Sequence, residues 1–106
     1  MGFFDFLKQP DINQGVMDCR KVSGAVLLDV RTPQEYRGGH IPGSRNVPLQ
    51  SIEGVAAVTE KKDTALYVYC QSGARSRQAT ARLRRMGYTN VTDIGGIAAY
   101  SGEVER

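Results

Sequence analysis

The feature that most constrains this 106-residue chain is a strand, a tight loop and a helix that follow one another directly in its second half. Residues 64–69 are rich in β-branched and aromatic side chains, which predicts a buried strand that delivers Cys70 at its carboxyl end. Small residues follow, and from Ala74 to Met86 the apolar side chains recur at helical spacing. A strand that leads straight into a helix is typical of a parallel α/β sheet.

The rest of the chain repeats this alternation. Residues 25–28 predict a second buried strand, and residues 32–35 (Thr-Pro-Gln-Glu) combine an N-cap, a proline at the first helical position and a capping-box glutamate. Shorter signals predict a helix from Ile12 to Val22, a brief strand at 45–48, a weak helix at 50–58 and a last core strand at 91–94. We therefore predict one α/β domain over residues 11–106, preceded by an N-terminal apolar segment over residues 1–10.

Composition excludes several classes of protein. The longest apolar run is six residues, 65–70, whereas a membrane-spanning helix needs about 20. The first residues do not resemble a signal peptide, because Asp5 interrupts their apolar patch and no basic residue precedes it. With two cysteines, Cys19 and Cys70, and one histidine, His40, the chain cannot readily build a zinc site. We expect a cytoplasmic protein without a metal, a cofactor or a membrane partner.

Positive charge is concentrated after Cys70. Five arginines and no acidic residue lie between Cys70 and Tyr88, at positions 75, 77, 82, 84 and 85. The remainder of the chain has nine basic and eleven acidic residues, a formal charge of −2. Such a run steers anions towards its neighbourhood. Because no aromatic residues interleave it, a base-stacking surface for nucleic acid is not predicted.

The segment from Cys70 to Ser76 reads Cys-Gln-Ser-Gly-Ala-Arg-Ser and predicts a reactive site. Small residues at 72–74 let successive backbone amides turn inward, and a nest of this kind at the start of a helix binds an anion. The same donors favour a thiolate, the nucleophilic form of cysteine. Arg75 would add a cation at the rim or prop the loop through a side-chain hydrogen bond. The alternative is that Cys70 is an inert cysteine buried at the end of a strand.

Several segments in order then make the chain recognisable. They are Leu28-Asp-Val-Arg31, Glu35-Tyr36, Gly39-His-Ile-Pro-Gly-Ser44, Asn46, Cys70-Gln-Ser-Gly-Ala-Arg-Ser76, Gly87-Tyr88 and Gly95-Gly96. From about Gly15 to Gly102 the chain resembles a small, single-domain member of the rhodanese family of sulfurtransferases. The resemblance implies a five-stranded parallel sheet with helices on both faces.

The resemblance also implies a reaction. A cysteine takes sulfane sulfur from thiosulfate, or from a persulfide donor, as a persulfide, and passes the sulfur to cyanide or a thiol. Carried over to this sequence, Cys70 is the persulfide cysteine. The substrate cradle around it comprises Gln71, Ser72, Gly73, Ala74 and Arg75. A protein donor or acceptor of sulfur fits the same scheme.

Two features qualify this assignment. Gln71 and Ser72 are uncharged where some relatives place basic residues, and Tyr100 stands where many have a tryptophan. The loop from Cys70 to Arg75 has six residues, one fewer than in related phosphatases and arsenate reductases, so its ring fits one sulfur rather than a tetrahedral oxyanion. The alternatives to a thiosulfate sulfurtransferase are, first, a partner-dependent sulfur carrier or binding module with little thiosulfate turnover. A phosphatase or arsenate reductase of the same fold is the second alternative, ranked below the sulfur carrier.

Other polar residues are assigned structural roles. We expect Asp29 to accept backbone N–H groups and Arg31 to pair with Glu35 over the capped helix. His40 lies in a loop whose role in the family is mostly architectural, and we expect Cys19 to pack in the core rather than act as a second sulfur-carrying thiol.

The N-terminal segment contains all three phenylalanines of the chain, Phe3, Phe4 and Phe6. They would either clamp onto the domain as a short helix that ends before Pro10 or form an exposed patch that recruits a partner. Of the two alternatives we favour the clamp.

Overall fold

The computed structural model describes residues 10–106 as helices and strands that alternate along the chain. The elements are α1 (Ile12–Lys21), β1 (Val26–Asp29), α2 (Pro33–Arg37), β2 (Arg45–Asn46), a first 3₁₀ segment (Leu49–Ala57), β3 (Leu66–Cys70), α3 (Ala74–Arg85), β4 (Val91–Gly96) and a second 3₁₀ segment (Ile97–Ala99). The expectations for Phe3, Phe4 and Phe6 lie outside the described residues. In the described part of the chain, no helix is long and apolar enough to cross a membrane.

The strands form one parallel sheet in the order β2-β1-β3-β4. The predicted α/β class is therefore confirmed, but the strand count of five is wrong, since the sheet formed by residues 10–106 has four strands. The fifth strand was implied by the resemblance and not by a strand-forming run of residues. At the β2 edge, Pro48 follows two residues after the strand and has no backbone donor to continue the ladder.

The two faces of the sheet bury two separate cores. Because side chains alternate along a strand, Leu66, Val68 and Cys70 point to the face covered by α3 and the first 3₁₀ segment. Tyr69, between them, points to the face covered by α1. Helices thus cover both faces, as predicted. The α1 core also contains Cys19, so the two cysteines, which are free thiols, are separated by the sheet.

Local sequence signals set the ends of the helices. Thr32 and Glu35 form the predicted capping box at the start of α2, and Gly38 caps the end of that helix. Gly87 follows α3 with φ = 103°, a left-handed conformation that favours glycine. Asp11, which the sequence analysis did not single out, caps α1 by accepting the backbone N–H groups of two residues in its first turn.

We predict that Gly15→Ala destabilises the fold by about 1–3 kcal/mol, the usual range for overpacking a core. Gly15 lies in α1, and an added Cβ would come within 2.5 Å of the side chain of Ile94 on β4. The free energy of unfolding, measured in denaturant, tests this. Gly54→Ala is the matched control, because its added Cβ meets only Val47, at 3.8 Å. Equal losses in both variants would contradict the packing argument.

Candidate functional site

Cys70 lies at the carboxyl edge of the parallel sheet, where ligands bind in folds of this class. It is the last residue of β3, which lies between β1 and β4, and α3 begins at Ala74. The residue is buried, with an exposed fraction of 1%, and its side chain points to the α3 face. The structure therefore places the cysteine at the position predicted from the strand, loop and helix pattern.

The loop after Cys70 aims one backbone donor at the sulfur. The Gly73 amide donates a hydrogen bond to Cys70 Sγ over 3.0 Å. Gly73 has φ = 107°, which a residue with a Cβ rarely adopts, and it occupies the N-cap position of α3. Gln71, Ser72 and Ala74 are exposed around the buried sulfur. One backbone donor is thus directed at the sulfur, at the start of a helix whose first amides have no partner within the helix.

Beside the loop, the end of β4 leaves no space for a side chain. A Cβ on Gly96 would collide with Gln71 O and with the Cα atom of Ser72. The amide of Ala98, just beyond, donates to Gln71 O over 3.1 Å. The loop backbone therefore rests directly on Gly96, the second glycine of a pair that was recognised in the sequence only as part of a family pattern.

The first turn of α3 is tied to β4 by a buried hydroxyl. Ser76 Oγ lies 3.1 Å from Gly73 O and 2.7 Å from Asp93 Oδ1, to which it donates. The same carboxylate oxygen accepts the Gly95 amide over 3.0 Å. Sequence reasoning missed this tie. The available signal was a serine at the third position of a helix that opens from a reactive loop.

Arg75 fastens the end of the loop through its side chain. Its guanidinium donates to both carboxylate oxygens of Glu35, over 2.7 and 2.9 Å. Glu35 also accepts the Thr32 amide, so the end of the loop is fastened to the start of α2. Of the two roles predicted for Arg75, the structure shows the side-chain hydrogen bond.

The expected pair between Arg31 and Glu35 is wrong. Arg31 binds Asp29 through three side-chain hydrogen bonds of 2.8–3.1 Å, and Asp29 also accepts the Arg31 amide, as expected of its carboxylate. Burial disfavours the charged guanidinium, but its hydrogen bonds to Asp29 and the charge of that carboxylate outweigh this effect and raise the pKa of Arg31. Both side chains are buried. The Asp29 carboxylate, two residues away, supplies the opposite charge and the hydrogen-bond acceptors that the buried guanidinium needs.

Arg31 also reaches the loop. Its Nη1 donates to the side-chain oxygen of Gln71 over 3.1 Å, and its Nη2 donates to Gly39 O over 2.7 Å. One buried guanidinium thus connects the end of β1, the loop after α2 and the loop after Cys70. Sequence reasoning placed Gln71 in the cradle but did not identify this partner.

The remaining candidates make structural contacts. The His40 ring stacks on Tyr36 with centroids 3.8 Å apart, and its Nδ1 lies 2.8 Å from Tyr36 O. Its backbone pairs with Glu105 through two hydrogen bonds of 2.8 Å. Burial raises the pKa of the Cys19 thiol, and this effect exceeds the opposing charge of Arg20. Cys19 therefore has the surroundings of a packing residue.

Two recesses adjoin the loop. One of about 70 Å³ lies on the α2 side and is lined by Val30, Thr32, Pro48, Leu49, Gln50 and Arg75. The other, of about 190 Å³, is lined by Pro10, Gln71, Ser72, Gly95, Gly96, Ala98 and Ala99. Across residues 10–106, no group of three His, Cys, Asp or Glu side chains could hold a metal ion. The chemical groups that the site offers are the Cys70 sulfur and the Gly73 amide that donates to it.

The chain is similar to known proteins over most of its length. The family described as Rhodanese-like domain matches residues 8–103. Thiosulfate sulfurtransferase PspE of Escherichia coli is 39% identical over 66% of this chain and 68% of its own, and the putative sulfur carrier protein YrkF of Bacillus subtilis is 34% identical over 74% and 43%. The solved structure of a rhodanese with anions from E. coli superposes with a TM-score of 0.72, at 34% identity over 77% of this chain and 98% of that one. For several curated relatives, the chain spans less than two thirds of their length.

We predict that the Glu35 carboxyl titrates with a pKa of about 2, because Arg75 holds it in the charged form. The ordinary value is 4.5, so the pair stabilises the fold fully above that pH and the contribution is lost as the pH falls through about 2. Carbon NMR of the side chain measures the midpoint. In Arg75→Ala the midpoint should rise towards its ordinary value.

Arg82→Ala is the matched control for this titration. Arg82 lies on the same helix but donates to Leu49 O and not to a carboxylate. A Glu35 midpoint that moves equally in both variants would mean that the general field of the helix, and not the direct pair, sets the pKa.

Proposed function

The chain belongs to the rhodanese-like family, and on that premise we propose that it is a sulfurtransferase that carries sulfur as a persulfide on Cys70. The observation that carries the proposal is the buried Cys70 sulfur at the carboxyl edge of the parallel sheet, with the Gly73 amide 3.0 Å from it. A thiolate is the nucleophile for sulfur transfer, and a preorganised amide stabilises negative charge that moves onto the transferred sulfur.

We infer two steps for the reaction. The Cys70 thiolate attacks the outer sulfur of thiosulfate, the bond between the two sulfurs breaks, and its electron pair leaves with sulfite. An acceptor, cyanide or a thiolate, then attacks the terminal sulfur of the Cys70 persulfide, and the electron pair of that bond returns to Cys70. Each step transfers one sulfur atom without an external oxidant or reductant, and Cys70 is again a thiolate at the end of the cycle. The proposed reaction therefore needs no cofactor.

The residues after Cys70 have different roles in this proposal. Gly73 and the free amides at the start of α3 hold the charge of the persulfide, and Gln71, Ser72 and Ala74 surround the entrance. Arg75 acts through Glu35 as a positioning residue for the loop. The six-residue spacing from Cys70 to Arg75 favours a ring that fits a single sulfur over one that fits phosphate or arsenate.

A sulfur carrier is the second candidate, and the charge of the site favours it. Among residues 10–106, the cations that contact the loop are each paired with a carboxylate, Arg31 with Asp29 and Arg75 with Glu35. The loop side chains at 71–74 are uncharged, so a thiosulfate dianion would meet amides but no unpaired cation of the loop. Similarity to a putative sulfur carrier supports this reading. In either case we place the protein in the cytoplasm, where both thiols stay reduced.

We predict that Cys70→Ser abolishes sulfur transfer whereas Cys19→Ser retains most of it. Serine cannot form a persulfide, and Cys19 packs on the other face of the sheet. The measurement is the intact mass of reduced protein after incubation with thiosulfate, which should show one added sulfur that cyanide removes. Comparable losses in the two variants would indicate a relay between two thiols.

The choice of donor distinguishes the enzyme from the carrier. A thiosulfate sulfurtransferase performs many turnovers when thiosulfate and cyanide are supplied together. A carrier is loaded in a single step by a low-molecular-weight persulfide such as cysteine persulfide, and it turns over thiosulfate slowly. Hydrolysis of an aryl phosphate that depends on Cys70 and exceeds sulfur transfer would overturn both candidates.

A further inference from the structure

The positive charge of this protein lies outside the proposed reaction site. Arg31 and Arg75, which contact the loop, are paired with carboxylates. Further along α3, Arg77, Arg84 and Arg85 are exposed, and none has a carboxylate within 4.0 Å among residues 10–106. We call these three residues the arginine face. Among residues 10–106 no carboxylate pairs with this charge, whereas each of the two arginines that contact the loop is paired with one.

Helical geometry puts the three arginines on one side of α3. At about 3.6 residues per turn, Arg77, Arg84 and Arg85 fall within one third of the helix circumference. Arg75 and Arg82 lie on another side, where they contact Glu35 and Leu49 O. The guanidinium of Arg84 donates to Val91 O over 2.9 Å, which orients the side chain without neutralising it.

The arginine face begins next to the loop and leads away from it. Arg77 is in the first turn of α3, and the 12-residue helix is about 18 Å long. Asp93, an acidic residue on the neighbouring strand β4, is held by Ser76 and by the Gly95 amide. If a partner segment binds along the arginine face, one end of that segment lies beside the loop and can reach the entrance to Cys70.

We propose that the arginine face is the docking surface for an acidic protein segment whose thiol takes the sulfur from Cys70. The proposal rests on the persulfide function above: the partner thiolate attacks the terminal sulfur, a new bond between two sulfurs forms, and Cys70 leaves as the thiolate. Charge complementarity supplies the recognition and speeds the encounter. The face presents guanidinium groups without aromatic side chains between them, so stacking on nucleic-acid bases does not contribute.

The probes are two synthetic peptides that differ only in charge, each with one cysteine, flanked either by glutamates or by glutamines. The protein is first loaded with sulfur, and transfer to each peptide is followed by mass. At low ionic strength we expect kcat/KM for the acidic peptide to exceed that for the neutral one by about tenfold, and the difference to shrink as salt is added. Arg77→Gln/Arg85→Gln should remove most of the preference and leave transfer to cyanide unchanged.

Arg20→Gln/Lys21→Gln is the matched control, since it removes the same charge from α1 on the opposite face of the sheet. Equal losses of the preference in the two double variants would overturn the docking surface in favour of a general charge effect, and so would an acidic peptide that is no better than the neutral one. Stronger inhibition by oligouridine than by a polyglutamate of equal charge would assign the face to RNA and overturn the proposal. Failure to load Cys70 at all would instead refute the underlying persulfide function.

Discussion

The buried ion pair between Arg31 and Asp29 is the interaction on which the rest of the site depends. Two buried charges are tolerated only when each is fully hydrogen-bonded, and removing one partner of such a pair typically costs about 3–5 kcal/mol. Here Arg31 also donates to the side-chain oxygen of Gln71 and to Gly39 O. The electrostatic requirement of one side chain therefore fixes the relative positions of three separate loops at the carboxyl edge of the sheet.

The pairing of the arginines at the loop with carboxylates limits how the loop can attract an anion. An arginine that satisfies a buried carboxylate cannot also attract an anion from solvent with its full charge, and Arg75 is in the same situation with Glu35. The loop therefore offers fixed amide dipoles and little net charge. Such dipoles suit the small, singly charged persulfide that we propose, because they are oriented before the charge arrives.

The sequence predicted the local features of the fold and the identity of the central residue. The capping box, the helix after the loop and the position of Cys70 all follow from short-range rules that act within a few residues. What sequence reasoning missed is long-range: the partner of Glu35 lies 40 residues further along the chain, and so does that of Arg31 on the loop. The predicted pair between Arg31 and Glu35 fails because Arg31 is occupied by Asp29, two residues away, and Glu35 is occupied by Arg75 of the loop. The fifth strand failed for another reason, since it came from the family and not from any run of residues.

The supports of the loop explain why its sequence alone does not define the substrate. Gly96 lets the backbone of residue 71 lie against β4, Ser76 ties the helix start to Asp93, and Glu35 holds the far end. These contacts determine the shape of the loop around the sulfur. The side chains of Gln71, Ser72 and Ala74 are exposed, and among them only Gln71 contributes a side-chain hydrogen bond to this framework, with Arg31. Because the ring is held from behind, the surface in front of it can change without loss of the fold. Discrimination between donors and acceptors is then a property of that surface and of the helix that leads away from it.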